Sequence, residues 1–472
     1  MAGKLFIGPR VRRLRDSRAW TLDVCAARLG LSISYLSQIE TNQRPVTARV
    51  LISLIRVFEV DAATFDADDE DRLIADLREA TAEEAGGEPP SLVEIKQVVA
   101  GAPAFARQYL RLHHAYRRMD ERLKATEAAV ALDEGAAASA TLPYEEVRDF
   151  FHYRNNYIHE LDLAAERLSA ACGVTEGENP DAALIAYLAE RGVRTVIASN
   201  LGGVLRRFDP ASGVMTLDGA QPAESRTFQL AYQLVAHELR GIIDGELASA
   251  GFRTTAARDV GRLGLGNYAA GALLMPYERL RQSAQELRHD VERLQSHFHT
   301  SFEQVCHRLS TLQRPTLRGL PFYFVRVDLA GNITKRHSAT RLQFARFGGG
   351  CPLWNVHEAF GQLGRILIQL AEMPDGVRYL CVAKGIVKPS GAYDAPERRY
   401  AIGLGCEIGH APAVVYSRGV NLDGPSVPIG VTCRICERDN CPQRAFPPID
   451  RPLRVPANER AIVPYVIEDA RR

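Results

Sequence analysis

The sequence predicts a multidomain protein that is mainly α-helical with α+β parts. Its 472 residues exceed what one hydrophobic core usually organises, so we expect several domains. Apolar residues recur at helical spacing over the first 65 residues and again over residues 92–172, whereas later segments alternate and are bounded by turn residues. We therefore expect an all-α head, a helical and α+β middle, and an α+β C-terminal domain.

The head has the pattern of a helix-turn-helix. Thr21 is placed to cap a helix that ends at Gly30, and Ser32 caps the next helix, ISYLSQIE. Two helices joined by a three-residue turn containing glycine form the motif that places its second helix in the major groove of DNA. The first 60 residues carry ten Arg or Lys and four Asp or Glu, a balance that suits a polyanion. On the inner stripe of the second helix we expect Ile33, Leu36 and Ile39.

The second helix and its flanks supply the candidate DNA contacts. The motif S-x-x-Y-L-S-x-I-E-x-x-x-R-P-V, followed by LISLIRVFEV, resembles the Cro/repressor (XRE) family of regulators. That resemblance implies double-stranded DNA as the partner, a homodimer, base readers at Ser34 and Gln38, and phosphate contacts elsewhere in the motif. The candidate DNA-binding residues are Thr21, Ser32, Ser34, Tyr35, Ser37, Gln38, Asn42 and Arg44.

Changes in charge and pattern along the chain set the expected domain boundaries. We assign residues 1–66 to the helix-turn-helix head and residues 67–90 to an acidic linker. Residues 91–143 are predicted to form one long helix or a pair, which connects domains or joins two subunits. Residues 144–315 then form the middle domain, and residues 316–472 form an α+β sensor domain.

The middle domain combines short strands with the helical motifs AHELRG and NYAAGALLMP, and it resembles the ImmA/IrrE-type metallopeptidases. Working members carry H-E-x-x-H, in which two histidines one turn apart hold zinc and the glutamate is the base. Here Glu238 is present, but Gly241 stands where the second histidine belongs. We therefore expect no enzymatic activity and a peptidase-shaped pocket that is available for another use. His237, Glu238 and Arg240 then either satisfy one another or line an effector cavity. Candidate effector-binding residues are His237, Arg240, Asn267 and Tyr268.

The C-terminal domain is predicted from strand pairs and one covering helix. PFYFVRVDLAGNITKRH has the pattern of a hairpin, while VRYLCVAKGIVKP, RRYAIGLGCEI and VVYSRGV have the pattern of strands. HEAFGQLGRILIQL is predicted to be the helix. These elements suit a small sensor domain.

Three cysteines crowd into the segment Cys433-Arg-Ile-Cys436-Glu-Arg-Asp-Asn-Cys441. The first pair has metal-chelating spacing, and a fourth ligand is expected from Cys351, Cys406 or His410. Zinc, a [4Fe-4S] cluster and a thiol redox switch are the interpretations that give these cysteines a function, and reduced, buried, inert thiols are the alternative. The Cys-Pro steps at Cys351 and Cys441 are similar to those that end ferredoxin cluster loops, which favours the cluster.

The whole chain resembles the short-chain fatty acyl-CoA regulator family. The resemblance rests on the XRE head, the degenerate peptidase-like middle and the motifs CPLWNVHEAF, IGLGCEIGHAP and CRICERDNCPQRAFPP. It implies a sequence-specific transcriptional regulator of short-chain acyl-CoA metabolism, such as that of propionate or acetate, switched by an acyl-CoA effector. The cysteines leave open the alternative of a metal- or redox-sensing regulator.

The sequence also sets expectations about the location of the protein. It has no run of about 18 to 20 apolar residues, and its first residues lack the apolar core of a secretory signal. We therefore expect a cytoplasmic protein with no membrane partner.

Overall fold

The computed structural model describes residues 7–41, 43–58, 60, 68–82, 90–132, 141–174, 177–199, 201–342, 344, 350–389, 393, 396–448 and 451–467. The chain divides into two compact units, Met1–Leu123 and Lys124–Arg472. None of the described helices is both long enough and apolar enough to cross a membrane.

Helices make up the first unit, and the second unit mixes helices with sheets. Unit 1 contains α1 Gly8–Ser17, α2 Leu22–Leu29, α3 Ile33–Glu40, α4 Ala48–Phe58, α5 Asp68–Ala82, α6 Leu92–Gly101 and most of α7 Pro103–Leu132. The helices of unit 2 are α8 Thr141–His152, α9 His159–Ala171, α10 Asp181–Glu190, α11 Ala223–Glu238, α12 Arg240–Ala250, α13 Thr255–Leu274, α14 Tyr277–Glu286, α15 Val291–Phe298, α16 Phe302–Leu309 and α17 Asn355–Glu358. Its strands are β1 Arg194–Ala198, β2 Arg206–Asp209, β3 Val214–Asp218, β4 Tyr323–Asp328, β5 Ile333–Ser338, β6 Ile366–Glu372, β7 Arg378–Lys388, β8 Arg398–Glu407, β9 Val427–Pro428, β10 Leu453–Arg454 and β11 Val466–Ile467. This composition confirms the predicted fold class.

Helices α1 to α4 enclose the core of the head. Val11, Leu36 and Leu54 are fully buried there, and Phe58 stacks on Trp20 with ring centroids 5.2 Å apart. Each helix contributes its apolar stripe, as expected for amphipathic helices that share one core.

The acid-rich stretch predicted to be a linker contains a helix in its described part. Helix α5 packs on α6 and buries Leu73, Leu77 and Ala80. Those three residues are spaced by four and three positions, so they form one apolar stripe despite the surrounding acids. The linker was predicted from the acidic charge alone, which does not reveal that apolar stripe.

The following segment is a pair of helices, which was one of the two predicted arrangements. Helix α6 begins with a capping box between Ser91 and Glu94, and Pro103 opens α7 after a break at Ala102. A proline is tolerated in the first turn because its missing N–H has no partner there.

The middle part of unit 2 wraps helices around a small sheet of order β1-β3-β2. The chain reverses between β2 and β3 at Asp209-Pro-Ala-Ser-Gly213. Leu234 on α11 and Ala269 on α13 are fully buried in the shared core.

The C-terminal part is built on a six-stranded sheet of order β5-β4-β8-β7-β6-β9. The predicted hairpin is β4–β5, and the two longest predicted strands pair as β7 and β8. Apolar side chains cover both faces of this sheet. One face packs against α14 to α16, and the other packs against Trp354 and Val356.

Two C-terminal predictions were wrong. The segment predicted to be a covering helix contains only α17 and a 3-10 turn, and it then becomes strand β6. Gly364 adopts φ +78° between the 3-10 turn and β6, and the β-branched Ile366 and Ile368 that follow favour a strand. The predicted strand VVYSRGV contains a 3-10 turn at Val415–Ser417, which packs beside the helices.

A buried ion pair joins the layers of unit 2. Arg308 on α16 donates two hydrogen bonds to Asp162 on α9, with nitrogen–oxygen distances of 2.6 and 3.2 Å. The Tyr268 hydroxyl donates to the same carboxylate at 2.7 Å, and Arg308 also donates to the Met275 carbonyl at 3.1 Å. The two charged side chains are 2% and 0% exposed. Such a pair is tolerated inside a protein because each charge is matched and hydrogen-bonded.

We expect Asp162→Ala to destabilise unit 2, because it leaves the Arg308 guanidinium buried without its counter-ion. The free energy of unfolding should fall by about 3–5 kcal/mol. Urea unfolding followed by circular dichroism measures the change. The matched control is Arg240→Ala, since Arg240 lies 3.8 Å from Asp244 at the surface and should contribute less than about 1 kcal/mol. Equal effects of the two substitutions would contradict this account of the ion pair.

Candidate functional site

The turn between α2 and α3 has the geometry predicted for a helix-turn-helix. Gly30 closes α2 in the left-handed region at φ +68°, where a side chain would be strained. Ser32 begins α3, and its hydroxyl accepts a hydrogen bond from the Tyr35 N–H at 3.2 Å. Thr21 stands at the N-cap of α2, although its hydroxyl donates to the Asp23 carboxylate and makes no capping bond.

The outer surface of α3 presents the predicted base readers. Ser34 is exposed, Ser37 and Gln38 are half-buried, and Leu36 and Ile39 are buried beneath them. Ile33 was predicted on the inner stripe, but it is 52% exposed. It is the first residue of the helix and lies beyond the end of the core. Sequence reasoning thus missed an apolar residue at the N-terminal end of α3, where a thymine methyl group is a natural contact.

The loop after α3 folds back on the helix and positions Arg44. The backbone N–H groups of Gln43 and Arg44 both donate to the Gln38 carbonyl, and the Arg44 guanidinium lies 5.2 Å from the centre of the Tyr35 ring. Arg44 stays exposed, as a phosphate contact requires. Asn42, another predicted contact, lies outside the described residues.

An ion pair fixes α3 against α1. Arg15 donates from two nitrogens to the two carboxylate oxygens of Glu40, at 2.8 and 2.9 Å. A bidentate pair of this kind holds both planar groups in one orientation. Helix α3 is therefore held against α1 by this ion pair as well as by the shared core.

The peptidase-like motif does not form a metal site. Helix α11 ends at Glu238 and α12 begins at Arg240, so the helix is interrupted within the motif itself. His237 is exposed, and the Glu238 carboxylate is paired with Arg191. The residues expected to bind an effector therefore separate. His237 and Arg240 lie on the surface, whereas Tyr268 is buried and its hydroxyl donates a hydrogen bond to Asp162.

A cavity of about 420 Å³ opens between the middle helices and the C-terminal sheet. This volume lies in the range of roughly 300–1,000 Å³ that small-molecule sites occupy. Asn267 lines the cavity and is the one predicted effector residue found there. Apolar surface comes from Phe228, Phe302 and Ile386. The cations that line it are Lys335, Lys384, Lys388 and Arg398.

Glu303 organises the cations on one side of this cavity. Its carboxylate accepts from Arg326 at 2.9 Å, Lys335 at 3.2 Å and Lys388 at 2.5 Å. Burial alone would raise the pKa of Glu303, but the charges of the two lysines and the arginine hold that pKa well below its usual range. Three cations share one carboxylate, so the cluster has a surplus of positive charge with which an anionic ligand can pair.

A histidine pair lies next to the Glu303 cluster. His307, which lines the cavity, has its Nε2 atom 3.1 Å from Nε2 of His337, whose Nδ1 atom lies 2.8 Å from the Asn156 side-chain oxygen. Burial and the adjacent Lys335 lower the pKa of His337 to about 3, so the ring is neutral at physiological pH.

Cys351 approaches the C-terminal cysteine segment. Burial raises the pKa of the Cys351 thiol, while the backbone N–H groups of Gly430 and Leu353 oppose that rise. Cys433 and Cys436 lie within electrostatic reach of it, and a Cβ atom on Gly430 would stand 2.9 Å from the Cys436 sulfur.

Arg444 shapes the loop that carries the C-terminal cysteines. Its guanidinium donates to the carbonyl oxygens of Cys433 at 2.9 Å and Cys436 at 3.1 Å. The Ala445 N–H donates to the Cys433 sulfur at 3.4 Å. Within the described ranges, no three Cys, His, Asp or Glu side chains converge closely enough to hold a metal ion.

Cys406 does not join these cysteines. Its side chain packs in the core on the α14–α16 face of the sheet, whereas Cys351 packs on the opposite face. Residues of β8 alternate between the two faces, and Cys406 falls in step with Ile402 and Leu404. His410 follows in the 3-10 segment Ile408–Ala413 on the Cys406 side. Of the predicted fourth ligands, the structure therefore brings only Cys351 near the segment.

Three family models match the chain. The helix-turn-helix domain model matches residues 7–67, and the IrrE N-terminal-like domain model matches residues 190–310. The model of the short-chain fatty acyl coenzyme A regulator, C-terminal, matches residues 311–465.

Known proteins are similar to the chain over nearly its whole length. A propionyl-CoA carboxylase regulator of Cereibacter sphaeroides is 47% identical over 99% of this chain and 100% of that protein. The HTH-type transcriptional regulator PrpR of Mycobacterium tuberculosis is 42% identical over 98% of this chain and 96% of its own. A solved structure of a Mycobacterium tuberculosis transcriptional regulator aligns with a TM-score of 0.66 and 46% identity, over 69% of this chain and 99% of that chain.

The geometry of α3 predicts how two substitutions differ in their effect on DNA binding. Gln38→Ala should cost about 1–3 kcal/mol on selected target sequences and relax the preference at one base pair. Arg44→Ala should weaken binding to all sequences alike and reduce its salt dependence. Fluorescence anisotropy on sequences selected from a random library measures both effects. An identical sequence preference in the Gln38→Ala variant would contradict the assignment of Gln38 as a base reader.

Proposed function

The chain belongs to the short-chain fatty acyl coenzyme A regulator family of helix-turn-helix transcription factors, and from that premise we propose that an acyl-CoA bound in the cation-lined cavity switches its affinity for DNA. The relatives carry the names of regulators, in agreement with the expectation that the chain is not an enzyme. Its output is DNA binding through α3, and its target genes serve acyl-CoA metabolism, such as that of propionate or acetate.

The charge and chemistry of the cavity carry this proposal. Coenzyme A thioesters combine several phosphate charges with a short apolar acyl group. Lys335, Lys388 and Arg398 supply cations, and lysine binds phosphate as a point charge. Phe228 and Phe302 supply an apolar surface for the acyl end. One cavity thus offers both kinds of contact that such a ligand requires.

The Glu303 cluster suggests how binding changes the protein. A phosphate group that pairs with Lys335 and Lys388 competes with Glu303 for the same cations. Glu303 lies on α16, whereas the two lysines lie on β5 and β7. Competition therefore loosens α16 from the sheet in the bound state, and a ligand that binds one state better shifts the equilibrium toward that state.

We propose that the protein acts as a cytoplasmic homodimer. Modules of this kind read paired half-sites about one helical turn apart, and each protomer supplies one recognition helix. A cytoplasmic location places the regulator with its DNA.

A second candidate function is metal or redox sensing at the C-terminal cysteines. The observation that favours it is the approach of Cys351 to Cys433 and Cys436, with Cys441 on the same loop. Thiolate ligands at this spacing suit zinc or a [4Fe-4S] cluster, and a cluster would add redox chemistry. The same thiols without metal would form a redox switch.

The effector proposal predicts that the cavity cations set the affinity for acyl-CoA. Lys388→Glu should raise the Kd for propionyl-CoA about tenfold or more, because it replaces a charge-assisted contact with repulsion. Isothermal titration measures the Kd. The control is Lys96→Glu, which changes the net charge equally on an exposed residue of α6. Equal affinities in the two variants, or no binding of any short-chain thioester to the wild type, would overturn the assignment.

The metal proposal predicts bound metal in protein purified without oxygen. We expect a stoichiometric amount of iron or zinc by elemental analysis, with visible absorption if the metal is an iron–sulfur cluster. Cys436→Ser should lower the metal content, whereas Cys172→Ser, at a buried cysteine of the middle core, should leave it unchanged. A metal-free wild type would leave the thiol switch as the remaining form of this candidate.

A further inference from the structure

Helix α7 carries an apolar stripe on its exposed side. Phe105 is 66% exposed, Leu112 is 67% exposed and Tyr116 is 61% exposed. Large apolar side chains at single surface positions are ordinary, but three along one helix face form a patch that is typical of an interface.

The other side of α7 is anchored in unit 1. Ala106 and Leu110 are buried against α5 and α6, in the core that contains Leu77 and Ile95. Tyr109 contributes to the edge of that core. The packing of unit 1 thus uses mainly a different face of α7, which it shares with the stripe only at Tyr109, and it leaves Phe105, Leu112 and Tyr116 at the surface.

The spacing of the stripe identifies the kind of partner. Phe105, Tyr109, Leu112 and Tyr116 follow one another at intervals of four, three and four residues. This is the a/d spacing of a heptad repeat, which a straight helix presents to another helix of the same spacing. The sequence keeps the spacing to the end of α7 at Met119, Leu123, Thr126 and Val130.

We propose that this stripe pairs in parallel with the same stripe of a second copy of the chain, so that α7 forms the dimer interface of the regulator. The inference rests on the proposed homodimer and specifies how it is built. A parallel pair brings the two heads to the same end of the coiled coil, as paired half-sites require. In the sequence, Arg122 and Glu127 also fall at a g position and the following e position, where a parallel in-register pair gains from opposite charges.

The test is the oligomeric state of the full-length protein in light scattering and sedimentation. The wild type should be a dimer at micromolar concentration, and Leu112→Glu should be a monomer with unchanged helix content, because two buried carboxylates would face each other in the pair. The control is Arg111→Glu, which alters the neighbouring exposed position off the stripe and should remain a dimer. A monomeric wild type, or a Leu112→Glu variant that remains dimeric, would overturn the proposal.

A cross-link tests the register. Leu112→Cys should form an intermolecular link with a short bis-maleimide in a parallel in-register pair, above the background of the wild type. A dimer that does not link at this position contradicts the parallel register. Propionyl-CoA binding by the Leu112→Glu monomer separates the two proposals. If the monomeric variant still binds propionyl-CoA, the effector site does not depend on the dimer. If the dimeric wild type does not bind propionyl-CoA, the effector proposal fails and the dimer proposal stands.

Discussion

The architecture of unit 2 depends on the buried ion pair between Arg308 and Asp162. Helix α9 supplies the carboxylate, α13 adds the Tyr268 hydroxyl, and the turn after α13 adds the Met275 carbonyl. The carboxylate and the Met275 carbonyl accept hydrogen bonds from Arg308 of α16, and the Tyr268 hydroxyl donates to that carboxylate. The same helix carries Glu303 and His307 into the cavity. Glu303 in turn holds Arg326 on β4, together with Lys335 and Lys388. Helix α16 therefore joins the peptidase-like helices to the C-terminal sheet. It is held by the charge-neutral Arg308–Asp162 pair on one side and by the Glu303 cluster, which has an excess of positive charge, on the other.

That asymmetry is the reason why we propose that a ligand acts at the Glu303 cluster. The Arg308–Asp162 pair is closed to solvent and complete, so it supplies rigidity and no response. Glu303, Lys335 and Lys388 of the Glu303 cluster line the cavity. Because the cluster holds more positive than negative charge, it attracts an anion electrostatically. In the peptidase-like motif, Gly241 stands in place of the second histidine and the helix is interrupted between Glu238 and Arg240. The effector site we propose lies elsewhere within unit 2, between the middle helices and the C-terminal sheet.

Local signals in the sequence were sufficient for the head, and they were insufficient for the cavity. Gly30, the Ser32 cap and the buried Leu36 are encoded within a few residues of one another, so the helix-turn-helix could be predicted. Ile33 was misplaced because periodicity alone does not show where a core ends. Glu303 and Lys388 are 85 residues apart and meet only through the packing of α16 on the sheet, for which no spacing rule exists. The resemblance of the motif likewise predicted Tyr268 as an effector-binding residue, although its hydroxyl is hydrogen-bonded to Asp162.

The central claim is that the cavity and the recognition helix share one equilibrium. Thermodynamic linkage requires the coupling to be reciprocal. The direct measurement is therefore the Kd of propionyl-CoA with and without saturating target DNA, set beside the Kd of the DNA with and without saturating propionyl-CoA at the same salt concentration. The account predicts that both constants shift by the same factor, about fivefold or more. Two constants that do not shift would show that the ligand and the DNA bind independently, and would contradict the account.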